Sequence, residues 1–222
     1  MSGRYKAVLF DLDGTILDTL EDLAVSMNIA LKQLGQFSID VSVVRSLVGN
    51  GARIFAEGAL AYVTGEPLVP SEMTDRLLAE FSAVYRKNSA VNTKPYEGIV
   101  DLLDWLKNKG VYTGVLSNKP HLATLDVLKS HFPKHAFDFA AGQREGVPRK
   151  PDPAGVYEFC SALNLSTEEV LLVGDSEVDI ETGRNAGLDC VGVLWGFRDK
   201  DALIKCGTKI LIESPEELKK FL

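Results

Sequence analysis

Cysteine is scarce in this 222-residue chain. Cys160, Cys190 and Cys206 are an odd set without the short paired spacings of a zinc site, so they imply no disulfide framework and read as reduced core thiols. The three histidines, His121, His131 and His135, also lack metal-site spacing and read as structural or surface residues. Long apolar runs are missing: no stretch approaches the ~20 residues needed to cross a bilayer. Acidic side chains begin at Asp11, too early for a secretory signal peptide. A basic cluster is missing as well, and the net charge of −7 argues against nucleic acid or an anionic membrane surface as the main partner. There is no internal repeat and no low-complexity tract. What remains is a globular composition, 45% hydrophobic, with ample material for a core and an expected cytoplasmic location.

The pattern changes character twice along the chain. Ala7 to Phe10 is a short apolar run suited to a strand buried on both faces. After Asp18 the apolar residues Leu20, Leu23, Ala24, Met27, Ala30, Leu31 and Leu34 recur at helix spacing, with Thr19 as the expected cap and Gly35 as the stop. A second helical region, Val41 to Ala61, is interrupted by Gly49-Asn50-Gly51, and a third, Ser71 to Lys87, carries Leu77, Leu78, Phe81 and Tyr85 on one stripe. From Pro95 helices and strands alternate: strands at Val111–Leu116, Phe137–Ala141, Val170–Val173, Val191–Leu194 and Thr208–Ile212, and a closing helix at Pro215–Leu222. Strands alternating with helices predict a parallel sheet with right-handed crossovers. The expected fold is therefore α/β: a Rossmann-like, doubly wound core of six strands built from residues 1–18 and 93–222, with an all-helical insertion at 19–92.

In a sheet of order 3-2-1-4-5-6 the second, first and fourth strands are neighbours, and ligands bind beyond their carboxyl ends. Asp11 follows the first strand, Ser117 and Asn118 the second, and Gly174, Asp175 and Ser176 the fourth. Each cluster alone has a bland explanation as turn, cap or solvated loop. Their convergence on one crevice outweighs it. Asp11 sits at an address suited to a nucleophile, with Asp13 two residues on and Gly14 able to take backbone angles that other residues resist. Two carboxylates facing one spot at ~5 Å, with an effective dielectric of ~20, repel by roughly 3 kcal/mol, so a cation is expected there.

The stretches DLDGTILDT at Asp11–Thr19, LSNKP at Leu116–Pro120, RKPDP at Arg149–Pro153 and GDSEVDIETGRNAG at Gly174–Gly187 resemble the haloacid dehalogenase superfamily over essentially the whole chain, in the phosphatase branch with a helical cap after the first strand. The insertion and the LVGNGARIF segment at Leu47–Phe55 further resemble phosphoglycolate phosphatases. The resemblance implies a Mg²⁺-dependent phosphatase acting on a small phosphorylated metabolite through an aspartyl phosphate, with 2-phosphoglycolate the leading candidate.

On that likeness Asp11 is the nucleophile, Asp13 the general acid and base with a pKa raised by crowding, and Lys150 the neutralising cation. Asp11, the carbonyl of Asp13 and Asp175 hold Mg²⁺, with Asp179 behind them. Gly14, Thr15, Ser117, Asn118 and Lys150 bind the phosphate. Asn50 and Arg53 are the candidates for substrate specificity in the cap. A carbon-attacking dehalogenase fits poorly beside Asp13 and Asp175. A β-phosphoglucomutase-like enzyme would carry a His near Leu23 and a Ser-Arg where Gly51-Ala52 stands. A pyrophosphatase stays open. A non-enzymatic phosphoaspartate signalling module would be about half the length, with its acceptor after the third strand. Monomer and homodimer both remain open.

Overall fold

In the computed structural model, which describes residues 4–222, the strand Ala7–Phe10 (β1) is buried along its whole length. Its residues point alternately to two faces. Val8 and Phe10 pack with Val115, Leu171, Val173, Val191 and Val193 beneath Ile99, Leu102, Leu103 and Leu106 of one helix and Val127 and Leu128 of another. Ala7 and Leu9 pack on the opposite face with Leu116, Val170 and Leu172 against Val156, Phe159 and Cys160. A strand covered by helices on both sides has no polar face to offer, which is why this run shows no alternation in sequence. Each large apolar side chain so removed from water contributes roughly 1.5–3 kcal/mol.

The other strands of this sheet are β2 (Tyr112–Pro120), β3 (Phe139–Gln143), β4 (Val170–Gly174), β5 (Asp189–Val193) and β6 (Ile210–Ile212). Their order is β3-β2-β1-β4-β5-β6, with every adjacent pair parallel. That is the doubly wound arrangement expected from the alternation of elements. Register carries it to the site: Phe10 lies opposite Val115 on one side and Val173 on the other, β4 ends one residue beyond its partner at Gly174, and β2 runs on to Pro120.

The chain divides into two compact units, Met1–Asp18 with Pro95–Leu222, and Thr19–Lys94. The first contains the sheet and five helices, numbered below after those of the second: α5 (Ile99–Lys109), α6 (His121–His131), α7 (Ala154–Leu163), α8 (Glu177–Ala186) and α9 (Lys200–Lys205). The second is α1 (Leu20–Gln33), α2 (Val41–Leu47), α3 (Ala52–Thr64) and α4 (Ser71–Asn88). Its core joins Leu23, Met27 and Leu31 of α1, Val44 of α2, Phe55 and Leu60 of α3 and Leu77, Phe81 and Tyr85 of α4. Phe81 meets Phe55 edge-on at 5.4 Å and stacks on Tyr85 at 5.5 Å. Asp22, buried in the first turn of α1, closes the unit: its carboxylate accepts from the amides of Val91, Asn92 and Thr93 and from both side chains of Asn92 and Thr93 at 2.7–3.2 Å.

Three local expectations change. The closing segment is a 3₁₀ helix, Pro215–Lys220, because its buried anchors Pro215 and Leu218 are three residues apart, the spacing that a 3₁₀ turn stacks. The chain enters α1 at Thr19 without a side-chain cap. The second strand continues to Pro120, so Ser117 and Asn118 are strand residues and not a loop ahead of a helix.

Candidate active site

The turn after β1 is tightly wound. The carbonyl of Leu12, whose side chain is fully buried, accepts from the amides of Thr15, Ile16 and Leu17, and the Gly14 amide donates to the Leu17 carbonyl at 2.9 Å. Gly14 has φ +86°, and a Cβ built there would stand 2.3 Å from Oδ2 of Asp175. Glycine is thus required both by the backbone angle and by the approach of the fourth strand's carboxylate.

Asp11 leaves this turn with its amide on the Val173 carbonyl, extending the ladder by one bond. Its Oδ1 accepts from the Leu12 amide at 2.7 Å and faces Nζ of Lys150 at 2.9 Å. The Lys150 ammonium, almost wholly buried, also donates to Oδ1 of Asp179 at 2.6 Å. Oδ2 of Asp179 accepts from the amide and hydroxyl of Ser176 and so closes the first turn of α8. Asp175 accepts from the Phe197 amide at 2.7 Å on Oδ2, while Oδ1 lies 3.4 Å from the Thr15 hydroxyl.

Carboxylate oxygens of Asp11, Asp175 and Asp179 come within 4.8 Å of one another. Burial, reinforced by Asp179, pushes the Asp11 carboxyl up to about 7, and Lys150 pulls it back only in part. Burial also raises Asp175 well above the usual carboxylate range, with Asp179 and Asp11 adding to it. Lys150 moves upward in spite of burial, because Asp11 and Asp179 face it. Three buried carboxylates oppose one buried ammonium, an excess of two negative charges carried by hard oxygen donors. Such a set fits a small divalent cation, and the buried repulsion is what that cation would relieve.

Asp13 does not share that centre's lysine. It is held by Lys119, whose Nζ lies 2.8 and 3.1 Å from its two oxygens. The crowding expected between Asp11 and Asp13 is answered by a separate ammonium for each. Lys119 was missed because the strand runs on to Pro120, with its ladder to β3 shifting register between Leu116 and Pro120, so the apolar run alone does not announce it.

Asn118 takes on a second task. Its side-chain amide donates to the Lys150 carbonyl at 3.0 Å, so one of its two side-chain N–H groups holds the lysine's backbone. Gly14 and Thr15 are corrected as amide donors: both N–H groups are bonded inside the turn, to Leu17 and Leu12. Ser117, buried at the strand end, accepts the Lys119 amide at 3.2 Å and keeps its hydroxyl proton to donate. Arg53 lies on the surface of the helical unit in ion pairs with Asp75 and Glu57, so its cation is already engaged. Asn50 is half-buried in the break between α2 and α3, flanked by Gly49 at φ +124° and Gly51 at φ +90°. The loop after β5 was also missed. The Trp195 ring nitrogen donates to the Thr15 carbonyl at 2.9 Å, and a Cβ on Gly196 would lie 2.3 Å from Cβ of Asp175.

Residues 8–193 match the model of the haloacid dehalogenase-like hydrolase family. The chain belongs to that family. Among haloacid dehalogenase-like relatives, a phosphoglycolate phosphatase of Mannheimia succiniciproducens is 34% identical over 200 residues, covering 89% of each chain. Phosphoglycolate phosphatase 1 of Pseudomonas aeruginosa is 30% identical over 213 residues, covering 96% of this chain and 78% of the relative. A crystal structure from Lactobacillus delbrueckii subsp. bulgaricus, of a haloacid dehalogenase-like protein provisionally described as a phosphoglycolate phosphatase, superposes with a TM-score of 0.91 at 34% identity over 99% of both chains.

Proposed function

We propose that the protein is a Mg²⁺-dependent phosphatase that hydrolyses a small phosphomonoester, with 2-phosphoglycolate as substrate. The observation that carries the proposal is the Asp11–Lys150–Asp179 chain beside Asp175, together with relatives that bear the phosphoglycolate phosphatase name. In this reading residues 1–18 and 93–222 are the catalytic domain and 19–92 the cap domain. The proposed setting is the cytoplasm; none of the described helices is long and apolar enough to cross a membrane.

Asp11, the Asp13 carbonyl and Asp175 would hold the Mg²⁺, which supplies charge neutralisation to the transferring phosphoryl group. Lys150 and the Leu12 amide both sit on Oδ1 of Asp11, so Oδ2 is the oxygen that attacks phosphorus. As the bond from phosphorus to the leaving oxygen breaks, Asp13 gives that oxygen a proton, and an aspartyl phosphate remains on Asp11. Asp13 then takes a proton from water, whose oxygen attacks phosphorus and expels the Asp11 carboxylate. Lys150 steadies Asp11 in both charge states, Ser117 donates its hydroxyl to a phosphate oxygen, and Asp179 fixes Lys150. Rates on 2-phosphoglycolate, pyrophosphate, hexose phosphates and a haloacid, each with and without Mg²⁺, test the proposal. The expected outcome is Mg²⁺-dependent release of phosphate with 2-phosphoglycolate preferred; preference for pyrophosphate would displace that substrate, and haloacid turnover would overturn the reaction class.

A further inference from the structure

We infer that Lys119 is a positioning residue that holds the Asp13 carboxyl group in the orientation from which it exchanges protons with the leaving oxygen. The inference rests on the proton-transfer role proposed for Asp13. A buried ammonium is costly unless it is paired, and the side chain of Lys119 is only 5% exposed. Its contacts reach both oxygens of Asp13, which fixes the plane of the carboxyl group as well as its distance. The backbone of Lys119 is itself anchored. Its amide donates to the Ser117 hydroxyl, its carbonyl accepts from the fully buried Thr124, and a Cβ on the neighbouring strand's Gly142 would come within 2.4 Å of that carbonyl. The ammonium is therefore presented from a rigid strand to an aspartate at the tip of a turn. In the reaction the proton passes from Asp13 to the leaving oxygen as the P–O bond breaks, and Lys119 keeps its own protons throughout.

The test compares kcat/KM on two substrates, because this ratio covers only the steps through departure of the leaving group. An alkyl phosphate such as 2-phosphoglycolate releases a strongly basic alkoxide and needs a proton; p-nitrophenyl phosphate releases a weakly basic phenolate and does not. Lys119→Met is expected to lower kcat/KM on the alkyl phosphate by about 100-fold, the low end of a general-acid contribution, and on p-nitrophenyl phosphate only several-fold. Lys119→Arg is expected to recover most of the alkyl activity, and Asp13→Asn with Lys119→Met to be no worse than Asp13→Asn alone. The ratio of the two substrates is internal to each variant, so a partly misfolded preparation does not mimic the result. Equal losses on both substrates in Lys119→Met, with Asp13→Asn still selective against the alkyl phosphate, overturn the positioning role and leave the acid role standing. Equal losses in Asp13→Asn overturn both.

Discussion

Gly14 separates backbone strain from damage to the charge centre. In Gly14→Ala the new methyl would stand 2.3 Å from Oδ2 and 2.7 Å from Cγ of Asp175, so the carboxylate must retreat by about 1 Å to regain ordinary contact. The backbone at φ +86° adds left-handed strain of roughly 1–2 kcal/mol for a residue with a Cβ. Gly207 supplies the control: its φ is +88°, and a Cβ there meets nothing within 4 Å. Gly207→Ala therefore carries the strain without the collision. Thermal or urea unfolding should show a loss of roughly 1–2 kcal/mol in Gly207→Ala and a larger one in Gly14→Ala, where the collision with buried Asp175 adds to the strain. Displacement of a working group by 1 Å costs on the order of 100-fold, so kcat/KM should fall by about that factor in Gly14→Ala and stay near wild type in Gly207→Ala. A Mg²⁺ titration of the rate should also shift to higher concentration in Gly14→Ala alone. If the two variants keep equal activity, the position of Asp175 does not matter to catalysis, and the centre described above is not the working one.

Asp11→Asn should abolish turnover and phosphoenzyme formation while the melting curve remains cooperative; acid-quenched labelling from a radioactive phosphomonoester measures this directly, and substantial residual turnover removes Asp11 as nucleophile. Because folding raises the Asp11 carboxyl from 3.8 to about 7, the metal-free protein binds more protons when folded than when unfolded in that window, so its stability should fall as pH rises from 4 to 7. Melting temperatures in EDTA across that range check the sign, and Mg²⁺ should flatten the profile; a rising profile in EDTA would contradict the buried repulsion. Asp22→Ala leaves the buried amide and hydroxyl of Thr93 without their acceptor, whereas exposed Val91 and Asn92 turn to water, for a loss of roughly 3 kcal/mol at neutral pH in urea unfolding. Burial acts to raise the Asp22 carboxyl, but the bonds from Thr93 and Asn92 prevail and lower it, so its contribution is complete above 3.8 and disappears as pH falls through the lower folded value. The gap between wild type and Asp22→Ala should close over that acid window; a gap independent of pH would show that the carboxylate's charge plays no part.

The order of the sheet was legible because helical and extended periods alternate so regularly from Pro95 onward, and parallel strands leave few topologies. The meeting of Asp11, Lys150, Asp175 and Asp179 was legible for a related reason, since each lies at or beyond an end that topology forces together. What was not legible depended on where β2 stops. Ending it at Leu116 gave Ser117 and Asn118 equal standing as donors; its continuation to Pro120, through a shift of register, puts the Asn118 amide on the Lys150 carbonyl and brings Lys119 to Asp13. Hydrogen bonds inside the Leu12–Leu17 turn were hidden likewise, because residue types specify that a turn forms but not which amides its closure engages. Arg53 shows the limit for long cations: a side chain with several carboxylates in reach settles on whichever the helices present, here Asp75 and Glu57.

The carboxyl group of Asp179 ties one oxygen to the opening turn of α8 and the other to an ammonium that arrives from 29 residues earlier in the chain. Winding that helix therefore sets in place one of the two carboxylates that receive the lysine, and a partly folded chain whose α8 is frayed keeps only Asp11 to hold the cation. Recovery of activity on refolding should therefore not run ahead of the protection of α8 from proteolysis.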